Sequence, residues 1–331
     1  WEAFPESVTD VNILDDTANT EHILRKIKQF KRSGKQFFAA LGFLKPHLPF
    51  IFPEKFLDYY PDGTVSEAMN PTAPYNMPAD AWNRCNELRS FDDIDFSAQI
   101  NVSLPIDKQI ELRRAYYAAV SYIDSLLGEV LDLYEERLQD DTILVLWGDH
   151  GWQLGEHGLW CKQTNFELAT RVPLFIHDPD MPEESKGAQT EALTELVDIF
   201  PSILELAGFS VDECADDSTD QLVCTEGTSF VPLMQDASIV NWKTAAFSQF
   251  RRTDVMGYSM VDYSYRYTEW IGYNFTSFEP DWLDIRGVEL YDHINDPDEN
   301  INLAYETDQQ IVDTRGDYSA RLRAGWKSSV P

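Results

Sequence analysis

Short apolar runs that end at polar, glycine-containing loops constrain the fold of this chain more than any other feature. The run Thr142–Trp147 leads directly into Gly148-Asp149-His150-Gly151, and the run Phe37–Leu44 leads into Lys45-Pro46-His47. A third run, Val172–Ile176, follows the loop after Trp147. Nearly continuous apolar runs of this length are typical of strands that are buried on both faces of a parallel sheet.

Helical patterns alternate with these runs. Residues 20–32 have helical spacing, Pro105 begins a long amphipathic helix that reaches about Arg137, and a further helix covers about Thr194–Ala207. On the long helix we expect one apolar side to face the core: Ile110, Tyr117, Val120, Ile123, Leu127, Val130 and Leu131. Alternating strands and helices predict an α/β fold with a parallel sheet.

The pattern changes at about residue 236. Residues 245–250 and 256–273 alternate in the manner of antiparallel strands rich in Tyr and Trp, and a last helix is predicted near 308–325. We therefore predict a large α/β domain over residues 1–235 and a smaller C-terminal subdomain, built on an antiparallel sheet, over residues 236–331.

Charge excludes two classes of partner. The chain has 57 Asp and Glu against 26 Lys and Arg, a formal net charge of −31. Such a surface repels nucleic acid and anionic membranes at long range, so no nucleic-acid partner is expected. No stretch approaches the roughly 18 consecutive apolar residues of a membrane span. An anionic substrate would require a local positive pocket.

Cysteines and sequons indicate the compartment. Cys214 and Cys224 lie in an acidic, turn-rich loop where a short disulfide fits, which implies an oxidising environment. Asn101-Val102-Ser103 and Asn274-Phe275-Thr276 are predicted glycosylation sites. Together these features favour a lysosomal or secreted protein over a cytoplasmic one.

The two polar loops are the predicted site, because ligands bind at the carboxyl ends of strands in open α/β sheets. Lys45 and His47 can face the same way and suit an oxyanion; the alternative is a surface Lys beside a hydrogen-bonded His. Asp149 offers a hard oxygen, His150 a nitrogen, and Gly151 a sharp backbone turn, which suits a metal or phosphoester site. The alternative there is a plain glycine-rich turn.

The longer motifs that contain these two loops allow a more specific interpretation. Gly148-Asp149-His150-Gly151-Trp152-x-Leu154-Gly155-Glu156-His157-Gly158, with Lys162 and Asn165 downstream, resembles the second signature of the sulfatase family, within the alkaline-phosphatase-like superfamily. Lys45-Pro46-His47-x-Pro49 is similar to the family's Lys-Pro-His element. Segment 116–124 resembles the family's long helix, segment 197–202 its next helix, and segments 256–259, 262–267 and 289–297 its C-terminal region. Their order across nearly the whole chain points to the iduronate-2-sulfatase branch, whose disulfide loop the Cys214/Cys224 spacing also resembles. The resemblance implies an alkaline-phosphatase-like sulfatase fold, a parallel-sheet sandwich.

This resemblance implies a sulfuric-ester hydrolase that acts on a sulfated sugar or glycan, such as a glycosaminoglycan. In the family, a formylglycine made from cysteine attacks the sulfate sulfur beside a Ca²⁺ ion. The correspondence implies Asp149 and His150 as metal-site residues and Lys162 and His47 as catalytic residues that contact sulfate or protonate the leaving alcohol. Lys45 and Trp152 join His47 and Lys162 in the implied substrate site.

Two elements of the family are missing from the sequence. The paired N-terminal aspartates and the Cys-x-Pro/Ala-x-Arg nucleophile segment do not occur. Cys85 and Arg89 have the spacing, but Glu87 stands where the family has Pro or Ala, so Cys85 is not expected to be the nucleophile. We expect a preceding segment or companion chain to complete the sheet, the nucleophile and the Ca²⁺ site, and expect this chain alone to be inactive.

Two rival functions are compatible with the motifs. One is a non-catalytic, acidic, secreted sulfatase-like protein used for binding or structure. The other is a phosphatase or phosphodiesterase of the same superfamily, which would hold two transition metals. Gly148 and Gln163 depart from the iduronate-specific pattern, so the identity of the sugar stays open.

Overall fold

The structure, a computed structural model, describes residues 1–5, 14–94, 99–210, 212–214, 224–240 and 242–330. The helices are α1 (Asp15–Ser33), α2 (Ile106–Arg137), α3 (Glu167–Thr170), α4 (Ile199–Leu206), α5 (Val231–Gln235) and α6 (Gln309–Ala324). The strands are β1 (Glu2–Phe4), β2 (Ile51–Pro53), β3 (Leu144–Trp147), β4 (Gln153–Leu154), β5 (Trp160–Cys161), β6 (Leu174–His177), β7 (Ala246–Arg251), β8 (Val255–Val261), β9 (Tyr265–Asn274) and β10 (Glu279–Asp292). Within these residues, no helix is long and apolar enough to span a membrane.

The chain divides into two compact units. Unit 1 comprises Trp1–Pro71, Cys85–Thr142 and Leu154–Gly158. Unit 2 comprises Thr72–Arg84, Ile143–Gln153 and Leu159–Pro331. This division does not test the domain boundary predicted at residue 235, which stays a prediction.

Unit 1 is built on α1 and α2, which pack against each other. The range predicted for α2 is confirmed, because the helix begins directly after Pro105 and ends at Arg137. The predicted core face is wrong, and Val120 is 42% exposed. The buried apolar side chains are instead those of Leu112, Ala115, Ala118, Ala119, Tyr122, Leu126, Leu133 and Tyr134. This face also has helical spacing, and its small alanines allow neighbouring elements to approach closely.

The strand predicted at Phe37–Leu44 is absent. In the described chain no other strand pairs with residues 37–44, and a strand requires a neighbouring backbone to bond with. Phe38 is 81% exposed and Leu44 is 55% exposed. A parallel pair does form nearby, where β1 and β2 align from Glu2↔Ile51 to Phe4↔Pro53.

In unit 2, β3 and β6 lie where apolar runs predict strands, so their positions are confirmed. They pair with each other antiparallel, from Leu144↔His177 to Trp147↔Leu174, and the parallel orientation predicted for them is wrong. One face of the pair packs on apolar side chains of α4, α5 and the following loop. On the opposite face, Phe175 is 64% exposed.

The predicted C-terminal antiparallel sheet is confirmed, with the strand order β10-β9-β8-β7. The last helix, predicted near 308–325, is α6, and the Asp308 side chain caps it by accepting from the backbone N–H groups of Gln310 and Ile311. Gly257 is required in β8, since a Cβ there would lie 2.6 Å from the Trp270 ring.

Candidate active site

The loop after β3 is held in place by backbone contacts within unit 2. Gly148 donates to the Pro173 carbonyl (3.1 Å), and Gly151 donates to the Ala169 carbonyl (2.9 Å). A Cβ on Gly151 would lie 1.9 Å from the Leu168 carbonyl oxygen. Gly151 is therefore needed because another backbone segment approaches closely.

Asp149 and His150 lie exposed at the start of this loop. The Asp149 side chain is 84% exposed and that of His150 is 36% exposed. Asp149 Oδ1 accepts the backbone N–H of His150 (3.0 Å), and Asp149 Oδ2 lies 3.5 Å from His150 Nε2. His150 Nδ1 lies 2.9 Å from the Gly151 carbonyl oxygen. Both predicted metal-site residues thus stand at the protein surface.

Trp152 and Lys162 complete a cluster with these two residues. Lys162 Nζ lies 4.7 Å from the centroid of the Trp152 ring, in cation–π range, and the His150 and Trp152 ring centroids are 6.3 Å apart. The structure therefore brings together four of the six predicted site residues. An ammonium group beside a broad indole face can hold an anionic oxygen while the indole packs against an apolar ring.

Buried polar side chains support the segment that carries Lys162. Gln153 is fully buried and accepts from the Thr164 hydroxyl (3.1 Å). Asn165 donates to the Gly257 carbonyl (3.1 Å) and accepts from Ser248 (3.3 Å). Asn165 belongs to the sulfatase-like motif, whereas Gln153 stands at a position that the motif leaves open, so sequence reasoning missed it.

Lys45 and His47 lie in unit 1, in a turn with cis peptide bonds at Lys45-Pro46 and Leu48-Pro49. Lys45 Nζ donates to the carbonyl oxygens of His47 and Pro49, both at 2.9 Å. Burial lowers the pKa of the Lys45 ammonium, while nearby Asp16 and Asp15 act in the opposite direction. The backbone N–H of Lys45 also donates to Asp16 (3.1 Å).

His47 has a carboxylate partner that the sequence did not indicate. Its Nε2 lies 2.8 Å from Glu87 Oε1, and its Nδ1 lies 2.7 Å from the Leu48 carbonyl oxygen. Both oxygens are hydrogen-bond acceptors, so each ring nitrogen of His47 faces an acceptor. Glu87 is 40 residues from His47, and no motif connects them.

The residues present do not make a Ca²⁺ site by themselves. Ca²⁺ takes about six to eight oxygen ligands. Across the described ranges, no group of three or more His, Cys, Asp or Glu side chains is arranged to hold a metal ion. Asp149 contributes one carboxylate, which falls well short of the oxygen ligands that such an ion requires.

The cysteines are oxidised. The disulfide predicted between Cys214 and Cys224 is confirmed, with Cα atoms 4.9 Å apart. Cys85 and Cys161 are also disulfide-bonded, so Cys85 has no free thiol. The sequence favoured a loop or packing role for Cys161, which misses its disulfide. Both sequon residues, Asn101 and Asn274, are exposed.

Similarity to known proteins extends over nearly the whole chain. The sulfatase family matches residues 4–209, and the C-terminal family of N-sulphoglucosamine sulphohydrolase matches residues 155–323. The chain belongs to the sulfatase family. It is 32% identical over 354 residues to iduronate 2-sulfatase of Mus musculus and of Homo sapiens, covering 90% of this chain. A sulfatase of Formosa agariphila is 31% identical over 92% of this chain and 52% of its own length.

Solved sulfatase-like structures share the fold. BT4656, solved in complex with its substrate D-glucosamine-2-N,6-O-disulfate, matches 93% of this chain and 70% of its own, with a TM-score of 0.64 and 20% identity. The phosphonate monoester hydrolase of Agrobacterium radiobacter matches 96% of this chain and 62% of its own, with a TM-score of 0.67 and 21% identity. The predicted alkaline-phosphatase-like fold is thereby confirmed. The chain spans 64% of the length of the two iduronate 2-sulfatases.

Proposed function

We propose that this sulfatase-family chain is part of a sulfuric-ester hydrolase that removes sulfate from a sulfated sugar or glycan. The observation that carries the proposal is the cluster of exposed Asp149 and His150 with half-buried Trp152 and Lys162, in which an ammonium lies 4.7 Å from an indole ring. The related fold of BT4656, which binds a sulfated glucosamine, supports this class of substrate.

The roles follow from the chemistry of each side chain. Hydrolysis of a sulfate ester breaks an S–O bond, and the leaving alcohol oxygen must gain a proton. Lys162 and His47 are the proposed groups that hold sulfate oxygens or supply that proton, and Lys45 adds positive potential. Trp152 provides an apolar face for the sugar ring.

We further propose that a segment outside this chain supplies the formylglycine nucleophile and the remaining Ca²⁺ ligands. Asp149 and His150 would then be this chain's contribution to the metal site. Three large apolar side chains are exposed: Phe175 in β6, and Phe38 and Leu44 in the segment that forms no strand. Their exposure favours the proposal that additional polypeptide covers them. On this proposal the present chain alone is inactive.

The proposed setting is the lysosome or the extracellular space. The Cys214–Cys224 disulfide is compatible with an oxidising compartment. The exposed Asn101 and Asn274 sequons would carry glycans there.

Calcium removal tests the proposed reaction. Native full-length protein is incubated with a heparan sulfate-derived disaccharide, and inorganic sulfate is measured by ion chromatography. We expect sulfate release that stops with a chelator and returns with added Ca²⁺. Zinc-dependent phosphate release from a phosphate monoester, without sulfate release, would contradict the proposal. Release of neither anion would favour the non-catalytic binding protein.

A further inference from the structure

Positive charge is concentrated in one part of this acidic chain. Residues 22–53 contain seven of its 26 Lys and Arg and none of its 57 Asp and Glu. The seven residues are Arg25, Lys26, Lys28, Lys31, Arg32, Lys35 and Lys45. A segment of 32 residues therefore has the opposite sign to the protein around it.

Three of these cations form a stripe on α1. Arg25, Lys28 and Arg32 are three and four residues apart, so they lie on one side of the helix, and all three are exposed. The buried Ile27 is about opposite on the helix, by its spacing. The basic stripe, defined as Arg25, Lys28 and Arg32, extends about 10 Å at about 1.5 Å per residue.

Structural roles account for only part of this charge. Lys31 and Arg32 lie in the last turn, where cations offset the negative end of the helix dipole, but Arg25 and Lys28 lie earlier. Arg25 has a long ion pair with Glu21 (3.4 Å). Lys28 and Arg32 form no ion pair with any residue that the structure describes.

We propose that the basic stripe binds a sulfated polysaccharide chain, using residues other than those proposed for catalysis. The choice of occupant rests on the proposed function. Arg guanidinium and Lys ammonium groups are matched to sulfate oxygens by charge and hydrogen bonding. Binding a polymer here would hold it on the enzyme between cleavage events and raise its effective concentration.

The shape of the charge distribution favours this partner over an anionic membrane. A thin, flexible polyanion can follow the stripe and make few contacts with the acidic remainder of the chain. A flat anionic membrane would bring more of that remainder within a Debye length of about 8 Å at physiological ionic strength. The net charge of −31 would then oppose binding.

Matched double variants test the stripe in the full-length protein. The test pair is Lys28→Gln with Arg32→Gln, and the control pair is Arg137→Gln with Lys186→Gln, which removes the same charge at exposed positions elsewhere. The probe is a size-defined heparin oligosaccharide, titrated over a range of salt concentrations. For the test pair we expect binding about tenfold weaker and a salt slope lower by about 2, by counterion release. The control pair should bind as the unmodified protein does.

Three results would overturn the proposal: equal losses in both pairs, no loss in the test pair, or binding of phosphatidylserine vesicles that needs the stripe while heparin binding does not. Sulfate release from a disaccharide, measured in parallel, should be unchanged in the test pair. If no variant releases sulfate, the proposed function fails, yet the heparin titration still decides whether the stripe binds polysaccharide.

Discussion

At the scale of single residues, Glu289 is a carboxyl group that unit 2 buries among polar partners. Trp270 Nε1 and the Tyr291 hydroxyl each donate to it at 2.7 Å. Burial raises the pKa of Glu289 to about 7, although these two hydrogen bonds and Arg252 act to lower it. Glu299, also buried, adds to the rise.

This raised pKa predicts how stability depends on pH. The folded state holds the Glu289 proton more tightly than the unfolded state does. The contribution of this proton to the free energy of unfolding is therefore fully present below a pH of about 4.5 and is lost as the pH rises to about 7. Glu289→Gln keeps a neutral group, so at pH 8 its free energy of unfolding should exceed that of the unmodified protein by up to about 3 kcal/mol. Chemical denaturation at pH 5 and pH 8 measures this. An equal pH dependence in both proteins would contradict it.

Substitution of Lys162 tests the catalytic role proposed for its ammonium group. Lys162→Met removes the cation beside Trp152 and should lower kcat for sulfate release by about 10²–10³-fold, the typical cost of losing one group that stabilises developing charge. Sulfate release by the full-length protein measures the change. Lys186→Met, at an exposed site elsewhere, is the control. An unchanged kcat in the Lys162 variant would remove Lys162 from the proposed mechanism.

The sequence predicted those site residues that are close together along the chain. Asp149, His150 and Trp152 follow one strand directly, so their proximity could be anticipated. Glu87 could not, because its contact with His47 depends on the tertiary path of 40 intervening residues.

At the scale of elements, a buried ion network joins the start of α4 to the region of β7. Lys243 Nζ lies 2.7 and 2.8 Å from the two Asp198 carboxylate oxygens and 2.6 Å from Glu195 Oε2. Glu195 Oε1 also accepts the backbone N–H of Phe247 in β7 (2.8 Å). The Lys243 and Asp198 side chains are almost fully buried.

Removing the cation should therefore be costly. Lys243→Met leaves two carboxylates without their partner, and we expect the free energy of unfolding to fall by about 3–5 kcal/mol. Lys186→Met breaks an exposed pair with Glu183 and should cost at most about 1 kcal/mol. Urea denaturation of both variants measures the difference. Similar losses would show that burial of the network contributes little.

Elements were predictable where the pattern is local. The range of α2 follows from helical periodicity and from Pro105 at its start, and α6 lies where a last helix was predicted. The antiparallel pairing of β3 with β6 and the absence of a strand at 37–44 were not predictable, because pairing depends on backbone that is distant in sequence. The core face of α2 was missed because its alanines carry less apolar signal than the larger residues beside them.

At the scale of the whole molecule, the sulfatase fold is recognised over nearly all of this chain, while the chain spans 64% of the two iduronate 2-sulfatases. Asp149 and Lys162 are present, whereas the sequence contains no nucleophile segment of the family's type. We propose that this chain works together with a segment that carries that nucleophile.

Intact mass measurement and N-terminal sequencing of native protein, with and without reduction, test this claim most directly. We expect a companion chain or a longer polypeptide. In it, one residue encoded as cysteine should have the mass of formylglycine. A single folded species of 38.0 kDa that binds no Ca²⁺ would contradict the account.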